Sequence, residues 1–359
     1  MASAAMIVTA DPTIQDDLLR LAAAANAQAE VAHHPDQARP SWHSPPLVLV
    51  GTDLADEVAA AEPQRRAGVV LVSRESETEN IYRQAVEIGA QDLALLPRDE
   101  AWLIDALASA AEPVDGFGTM ICVTGARGGS GTSVFAAGLA LTAARQGLRT
   151  LLVDGDPLGG GLDLVLGLEE YDGARWPDFA ERQGRLSAAT LRQALPRLGD
   201  LSVLSWSRED PVPVAPEAIL SLLDAAVRGF ALVVVDVPSH LGDIGRTALR
   251  ASDLTLLLVP AEVRAAVAAN LQAAALRRET SELRLIVRGP SPGGLTPKVI
   301  AESLALPPSG TFERDRRLPA ALEQGDFPRA ARRGSLTDLC SALVEELDLH
   351  TYEPRMEAA

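Results

Sequence analysis

The sequence predicts two α/β domains whose sheets are mostly parallel. Short, uninterrupted aliphatic runs such as Leu47–Val50 and Leu232–Val235 alternate with segments of helical periodicity, a pattern typical of parallel strands covered on both faces. The chain has 359 residues, enough for two domains of about 100–200 residues each. Residues 113–118 read Pro-Val-Asp-Gly-Phe-Gly, a linker composition, so we predict domains at 1–112 and 119–349.

The composition is that of a folded, acidic protein. Hydrophobic residues make up 47% of the chain, which excludes wholesale disorder. No apolar run approaches the roughly 20 residues that cross a bilayer, and no signal peptide is recognisable, so we expect a cytoplasmic protein. Two distant cysteines, Cys122 and Cys340, exclude a disulfide framework or a cysteine zinc site. The net charge of −17 argues against a function based on binding DNA phosphates.

The first domain alternates strands and helices. Asp11-Pro12 is a helix-start signal, and Gly89 ends a helical segment. The predicted strands are Met6–Thr9, Leu47–Val50, Val69–Val72 and Leu93–Leu96, and the predicted helices run from Pro12 to about Ala25, over Ile81–Ile88 and over Trp102–Ala111.

The order and length of these elements resemble a response-regulator receiver domain, which has a flavodoxin-like fold. The resemblance implies an acidic pair after the first strand and a phosphate-accepting aspartate at the end of the third. This chain has only Asp11 at the first place and Gly51 at the second, with Asp53 two residues later. Leu96 replaces the expected lysine, whereas Ser73 fits the expected hydroxyl. We therefore predict a receiver-shaped docking domain rather than a phosphorylated one.

The strongest local signal is a glycine-rich loop between a strand, Met120–Val123, and a helix, Ser133–Gln146. This is the context that a phosphate-binding loop requires, because successive backbone N–H groups and the helix N-terminus attract phosphate oxygens. A tight packing turn is the alternative interpretation. The candidate nucleotide-binding residues are Gly128, Gly129, Ser130, Gly131, Thr132 and Ser133.

The loop departs from the pattern G-x-x-x-x-G-K-[ST]. Gly131 is its last glycine and Ser133 supplies the hydroxyl for magnesium, but Thr132 stands at the lysine position. The single lysine of the chain, Lys298, is distant in sequence. Loss of one preorganised charge commonly costs about 100- to 1000-fold in rate, so we expect at most a weak ATPase.

Two later strands end in carboxylates, and together with the loop they form a three-part pattern. Arg149–Asp154 leads into Asp156, and Ala231–Asp236 ends in a further aspartate. Loop, Asp-x-Asp and apolar strand ending in Asp, in this order, resemble the deviant P-loop ATPases of the MinD/ParA family over about residues 118–345. A receiver-like domain in front narrows the resemblance to the CpaE/TadZ branch.

The resemblance implies the chemical roles. ATP and Mg²⁺ are the implied cofactors, with Ser133 as a magnesium ligand and Asp236 holding the water shell of the ion. Asp156, or Asp154, is implied to position the attacking water. Arg127 replaces a family lysine that reaches across an ATP-sandwich dimer, and a guanidinium suits that task. The family asparagine that reads adenine is missing, because Arg288-Gly289 follows the late strand.

The predicted function is a MinD/ParA-like, nucleotide-dependent regulator of septum placement and cell division, with a nucleotide-linked homodimer and cell-division or polar-localisation proteins as partners. One alternative is a nucleotide-independent scaffold. Another is a CpaE/TadZ-like localisation factor for pilus or secretion assembly.

The C-terminal part favours neither DNA nor direct membrane binding. Residues 277–333 hold 11 basic and 7 acidic residues, a weak excess in an acidic chain. The last helix begins at Ser335, and its leucines at 336, 339, 343 and 347 follow helical spacing. Its acidic polar face would be repelled by anionic lipids, so we predict a core helix, with recruitment to the septum or pole only through a partner. Residues 350–359 are predicted to form a loose tail.

Overall fold

The computed structural model describes residues 4–61, 63–66, 68–74, 79–111, 118–180, 186–208 and 212–347. Residues 113–117 of the predicted linker and the predicted tail at 350–359 lie outside this part of the chain, and the predicted domain boundaries stay a prediction. The described residues divide into two compact units, one within Met1–Asp115 and Gly184–Thr190 and the other within Gly116–Gln183 and Leu191–Ala359.

The first unit contains a five-stranded parallel sheet with the strand order β2-β1-β3-β4-β5. The predicted strands and helices are confirmed within one or two residues. The analysis of the sequence did not single out β2, because Ala-Glu-Val-Ala lacks an aliphatic run. The strands are β1 Ala5–Val8, β2 Ala29–Ala32, β3 Leu47–Gly51, β4 Val69–Ser73 and β5 Asp92–Leu95, and the helices are α1 Pro12–Ala24, α2 Pro35–Ala38, α3 Ala55–Ala60, α4 Glu79–Ile88 and α5 Glu100–Ala111, with a 3₁₀ turn at Arg39–Ser41.

Alternate residues of these strands enter two separate cores, as expected for a sheet covered on both faces. Ile7 and Leu49 pack on one face with residues of α1 and α5. Met6 and Val48 pack on the other face with residues of α3 and α4. The aliphatic runs of β1, β3 and β4 are continuous because both faces of these strands are buried.

Asp53 fastens the end of β3 to the start of α1. Its carboxylate accepts hydrogen bonds from the Thr9 hydroxyl at 2.8 Å and from the N–H groups of Ala10 at 2.7 Å and Asp11 at 3.0 Å. A Cβ atom on Gly51 would lie only 2.2 Å from the Asp53 carboxylate. The carboxylate therefore fills the space in front of β3 and uses its oxygens to hold the β1–α1 loop.

The second unit contains an eight-stranded sheet with the order β13-β12-β11-β6-β10-β7-β9-β8. Only the β8–β9 pair is antiparallel among the described pairs. The strands are β6 Thr119–Gly125, β7 Thr150–Asp154, β8 Arg197–Leu198, β9 Leu201–Leu204, β10 Leu232–Val237, β11 Leu254–Pro260, β12 Leu283–Arg288 and β13 Pro308–Phe312. The helices after residue 118 are α6 Thr132–Arg145, α7 Leu162–Leu166, α8 Pro177–Ala180, α9 Ala188–Ala194, α10 Pro216–Gly229, α11 Gly242–Ala251, α12 Val263–Leu276, α13 Pro297–Leu304, α14 Leu318–Glu323, α15 Phe327–Ala330 and α16 Ser335–Glu346; the first three residues of α9 belong to the segment grouped with the first unit.

Helix α6 is fixed deep in this unit. Phe135 near its start is fully buried and stacks on Phe312 with 5.6 Å between the ring centroids. Leu336 of α16 contacts α6 at Gly138, where a Cβ atom would meet it at 3.2 Å. Leu336 and Leu343 are buried, which confirms α16 as a core helix. None of the helices in the described ranges is both long and apolar enough to cross a membrane.

The stabilising role of the hydrogen bonds to the Asp53 carboxylate can be tested with Asp53→Ala. Three hydrogen bonds lose their acceptor, so we expect the free energy of unfolding of the first unit to fall by about 1–2 kcal/mol and the amides of Ala10 and Asp11 to exchange faster. Chemical denaturation and hydrogen exchange measure the two effects. Asp56→Ala is the control, because Asp56 forms a surface ion pair with Arg83 at 3.0 Å, worth about 0–1 kcal/mol. Equal effects of the two substitutions would contradict a stabilising role for the hydrogen bonds to Asp53.

Candidate nucleotide-binding site

The central strands bring the predicted site residues to one edge of the second sheet. Strands β6, β7 and β10 are parallel neighbours, and Asp236 lies in register with Val123 of β6 and with Asp154 of β7. Because neighbouring strands are about 4.8 Å apart, the acids lie beside the glycine-rich loop that follows β6. This edge is where ligands bind in open α/β sheets.

The loop exposes backbone donors. Gly129 and Gly131 adopt φ angles of +73° and +90°, a left-handed conformation that L side chains rarely adopt. Within the described parts of the chain, no atom accepts a hydrogen bond from the N–H of Gly128, Gly129 or Gly131. Helix α6 begins after Gly131 without a side-chain cap, so its first N–H groups are also available. Together these donors form the anion-binding end of α6.

Ser130 and Thr132 shape the loop through their side chains. The buried Ser130 hydroxyl donates to the Arg127 carbonyl at 2.7 Å and its N–H donates to the same oxygen at 3.3 Å. The Thr132 hydroxyl lies against Gly125, where a Cβ atom would be only 2.4 Å away. Ser130 therefore closes the turn, and Thr132 brings no charge to the loop.

Ser133 and Asp236 form a hydroxyl–carboxylate pair between the start of α6 and the end of β10. Asp236 is 6% exposed, and burial raises its pKa to about 7. The Ser133 hydrogen bond lowers this pKa, whereas the nearby charges of Asp154 and Asp156 raise it. The buried carboxylate has a hydroxyl partner and acidic neighbours, an environment that favours a cation.

Asp154 and Asp156 occupy different environments. Asp154 is 3% exposed, and its carboxylate accepts from the N–H groups of Leu162 at 3.0 Å and Asp156 at 3.1 Å and from the Ser205 hydroxyl at 3.0 Å. Burial raises the pKa of Asp154 to about 6. Asp156 is half-buried and accepts from the Leu158 N–H at 3.0 Å. Asp154 thus holds the loop after β7, and Asp156 is the more accessible acid.

Arg127 is held within its own chain. Its guanidinium forms an ion pair with Glu262 at 2.6 Å and also donates to the Gly128 carbonyl at 3.2 Å. Glu262 follows β11, the strand beside β6. The analysis of the sequence missed Glu262 and Ser205, since both reach the site only through the strand order.

The residues present fit Mg²⁺ and a nucleotide. In the described parts of the chain no group of three His, Cys, Asp or Glu side chains is arranged to hold a metal ion. Mg²⁺ does not need one, because it keeps several water ligands and uses one or two protein oxygens. Ser133 would ligate the ion and Asp236 would hold its water, beside a loop with free N–H donors.

Comparisons with known proteins agree with this geometry. Residues 8–117 match the family model of the Rv3660c-like, CheY-like N-terminal domain, and residues 119–287 match that of the cellulose biosynthesis protein BcsQ. The uncharacterized protein Rv3660c of Mycobacterium tuberculosis is 38% identical over 337 residues, which cover 91% of this chain and 93% of the relative. The septum site-determining protein MinD of Bacillus subtilis is 28% identical over 150 residues, covering 41% of this chain and 55% of MinD.

Solved structures share the fold of the second unit. A ParA family ATPase from Chlorobium tepidum superposes with a TM-score of 0.57 at 17% identity, covering 65% of this chain and 99% of the ATPase. MinD from Pyrococcus horikoshii, solved with Mg-ADP, gives 0.55 at 17% identity, covering 64% of this chain and 96% of MinD. The predicted fold class is confirmed: a receiver-like domain precedes a P-loop domain of the MinD/ParA type. The chain belongs to the Rv3660c-like family of MinD/ParA-type P-loop proteins with a receiver-like N-terminal domain.

The spacing between the acids can be tested with Gly155→Ala. The Gly155 N–H donates to the Asp236 carbonyl at 2.9 Å, and a Cβ atom would lie 2.5 Å from that oxygen. Relief of the clash must separate the ends of β7 and β10, so we expect a loss of about 1–3 kcal/mol in the free energy of unfolding. Chemical denaturation provides the measurement. Gly160→Ala is the control, because its Cβ atom would meet nothing within 4 Å, and a comparable loss there would refute the explanation.

Proposed function

We propose that this protein is a MinD/ParA-like regulator that binds MgATP at residues 128–133 and acts on septum placement and cell division through protein partners. The observation that carries the proposal is the row of free N–H donors at the uncapped start of α6, next to the Ser133–Asp236 pair. Residues 1–112 would serve as a receiver-shaped docking domain, joined by 113–118 to residues 119–349.

Within the site, each residue has a distinct task. Ser133 and Asp236 would hold Mg²⁺, and the glycine N–H groups would bind phosphate oxygens. Asp156 is the better candidate to position water, because the Asp154 carboxylate already accepts three hydrogen bonds. With the uncharged Thr132 at the lysine position, any ATPase activity would be weak.

A nucleotide-linked homodimer is part of the proposal. Arg127 would leave Glu262 and pair with a phosphate of the nucleotide that is bound to a second copy. Helix α12 begins directly after Glu262 and exposes an apolar stripe along one side. Val263, Val267 and Leu271 are 68%, 64% and 75% exposed, and such a stripe favours burial against a protein surface. We propose that the second copy covers it.

The biological setting follows from resemblance. As part of this proposal, the chain belongs to the CpaE/TadZ branch and acts like the actinobacterial septum site-determining protein Ssd, in the cytoplasm, with recruitment to the septum or pole by a partner. The alternatives are a localisation factor for pilus or secretion assembly and a nucleotide-independent scaffold. The scaffold is favoured by one observation, namely that the loop lacks its lysine.

Calorimetric titration with MgATP tests the proposal. We expect saturable micromolar binding by the natural protein and none by Gly131→Val, because the valine would collide with a neighbouring guanidinium and strain a residue at φ +90°. Gly147→Val is the matched control: Gly147 also has a positive φ, +86°, but lies at the far end of α6 in open space. Absence of heat with the natural protein up to millimolar MgATP would favour the scaffold.

If Asp236 helps to hold Mg²⁺, the effect of Mg²⁺ on ATP affinity depends on pH, and Asp236→Asn abolishes that dependence. Because the pKa of Asp236 is raised to about 7, the carboxylate that Mg²⁺ requires forms as pH rises through that value. We expect the gain in ATP affinity from Mg²⁺ to increase between pH 6 and pH 8 in the natural protein and to be small at every pH in Asp236→Asn. Titrations with and without Mg²⁺ measure the gain. Asp243→Asn, an exposed site after the same strand, should behave as the natural protein, and an unchanged gain in Asp236→Asn would exclude this metal role.

A further inference from the structure

Arg288 lies over the glycine-rich loop although it belongs to a distant strand. It is the last residue of β12, which β11 separates from β6, a distance of about 10 Å at the usual strand spacing. Its backbone is anchored, since its carbonyl accepts from the Ala261 N–H at 2.9 Å. The side chain extends past the end of β11, and its Nη1 lies 2.8 Å from the place of a Cβ atom on Gly131.

The guanidinium of Arg288 is not paired with any carboxylate in the described parts of the chain. Among the described residues, none forms a hydrogen bond or ion pair with it. Burial lowers its pKa, and the charges of Arg314 and Arg127 lower it further. Glu262 is the opposing charge nearby, and its carboxylate is bonded to Arg127. By contrast, Arg284 on the same strand is paired with both Glu282 and Glu346.

A half-buried cation that is repelled by two others and unpaired is unfavourable unless a ligand compensates it. The N–H groups of Gly128, Gly129 and Gly131, from which no described atom accepts, lie in the same loop and are available to an anion. A polyphosphate suits both features, because its oxygens accept from backbone N–H groups and pair with a guanidinium in a bidentate manner.

We propose that Arg288 supplies, from the end of β12, the positive charge that Thr132 leaves out of the loop, and that it binds the polyphosphate chain of the nucleotide. This inference rests on the proposed nucleotide-binding function. It also accounts for the uncharged Thr132, because a lysine at that position would place another cation beside the Arg288 guanidinium, which lies over Gly131.

Titration of the full chain with MgATP, and separately with inorganic tripolyphosphate, tests the role of Arg288. A charge-assisted contact to phosphate corresponds to about 10- to 100-fold in affinity. We expect Arg288→Ala to lose this factor for both ligands and Arg288→Lys to recover little of it at neutral pH, because a half-buried lysine beside two other cations loses its proton readily. Arg278→Ala is the control: it removes the same charge from an exposed residue just after α12, and it should bind both ligands as the natural protein does.

A second pair of variants separates a binding role from a structural one. Thr132→Lys should restore affinity at least 10-fold in the Arg288→Ala background and give little gain in the natural protein, a coupling that a double-mutant cycle measures. In the absence of ligand, Arg288→Ala should leave the Tm unchanged or raise it, since an unpaired, repelled charge is removed. A lowered Tm without loss of ligand affinity would assign Arg288 to structure.

The outcomes distinguish the two proposals. If the natural protein binds MgATP and Arg288→Ala binds it equally well, the role of Arg288 is excluded while the nucleotide-binding function stands. If the natural protein binds neither MgATP nor tripolyphosphate, both proposals are overturned. A loss in Arg288→Ala together with rescue by Thr132→Lys supports both.

Discussion

A buried carboxylate, Asp236, and a half-buried guanidinium, Arg288, flank the glycine-rich loop, and the sheet keeps them from pairing with each other. Asp236 lies near the carboxyl end of β10, and Arg288 is the last residue of β12. Strands β6 and β11 lie between these two strands, so the two residues are about 14 Å apart at the usual strand spacing. Burial disfavours the charged form of each group, so it raises the pKa of Asp236 and lowers the pKa of Arg288. A magnesium–polyphosphate ligand has the complementary polarity, with the metal toward the carboxylate and the phosphates toward the guanidinium. The strand order therefore separates the two charges in the way that the proposed ligand requires.

Glu262 determines how the positive charge is shared. The Glu262 carboxylate is bonded to Arg127 at 2.6 Å, and it acts on Arg288 only through its nearby charge. A phosphate at the loop would compete with Glu262 for Arg127, because both are anions that suit a guanidinium. Ligand binding and release of Arg127 toward a second copy would then be linked by one ion pair. The exposed stripe of α12 starts at the next residue, so the same event would take place at the edge of the proposed dimer surface.

Features encoded by contiguous residues were predictable from the sequence, and features that depend on strand order were not. The loop, the Asp-x-Asp turn and the aliphatic strands are local patterns, and the structure has them within one or two residues. The sequence alone does not distinguish the roles of Asp154 and Asp156. In the structure, Ser205 on the loop after β9 and Leu162 in α7 donate to Asp154, which is buried, whereas Asp156 stays accessible. In the sequence, Arg288 was noted only because it stands where the family has an asparagine. Its proximity to Gly131 depends on β11 lying beside β6, which the sequence does not show. Strand β2 was missed because it is an edge strand in which only Ala32 is buried, so it has no aliphatic run.

The identity of the residue at position 288 has a physical reason. The chain contains 31 arginines and one lysine, Lys298, which is 84% exposed and pairs loosely with Glu302 at 3.9 Å. A lysine in a half-buried site beside two other cations loses its proton readily, whereas a guanidinium stays charged and offers five donors in a rigid plane. An arginine can therefore carry a phosphate-binding charge across the end of a neighbouring strand, where a lysine ammonium would be neutralised. A loop without its own lysine is consequently compatible with phosphate binding, provided that the charge enters from β12.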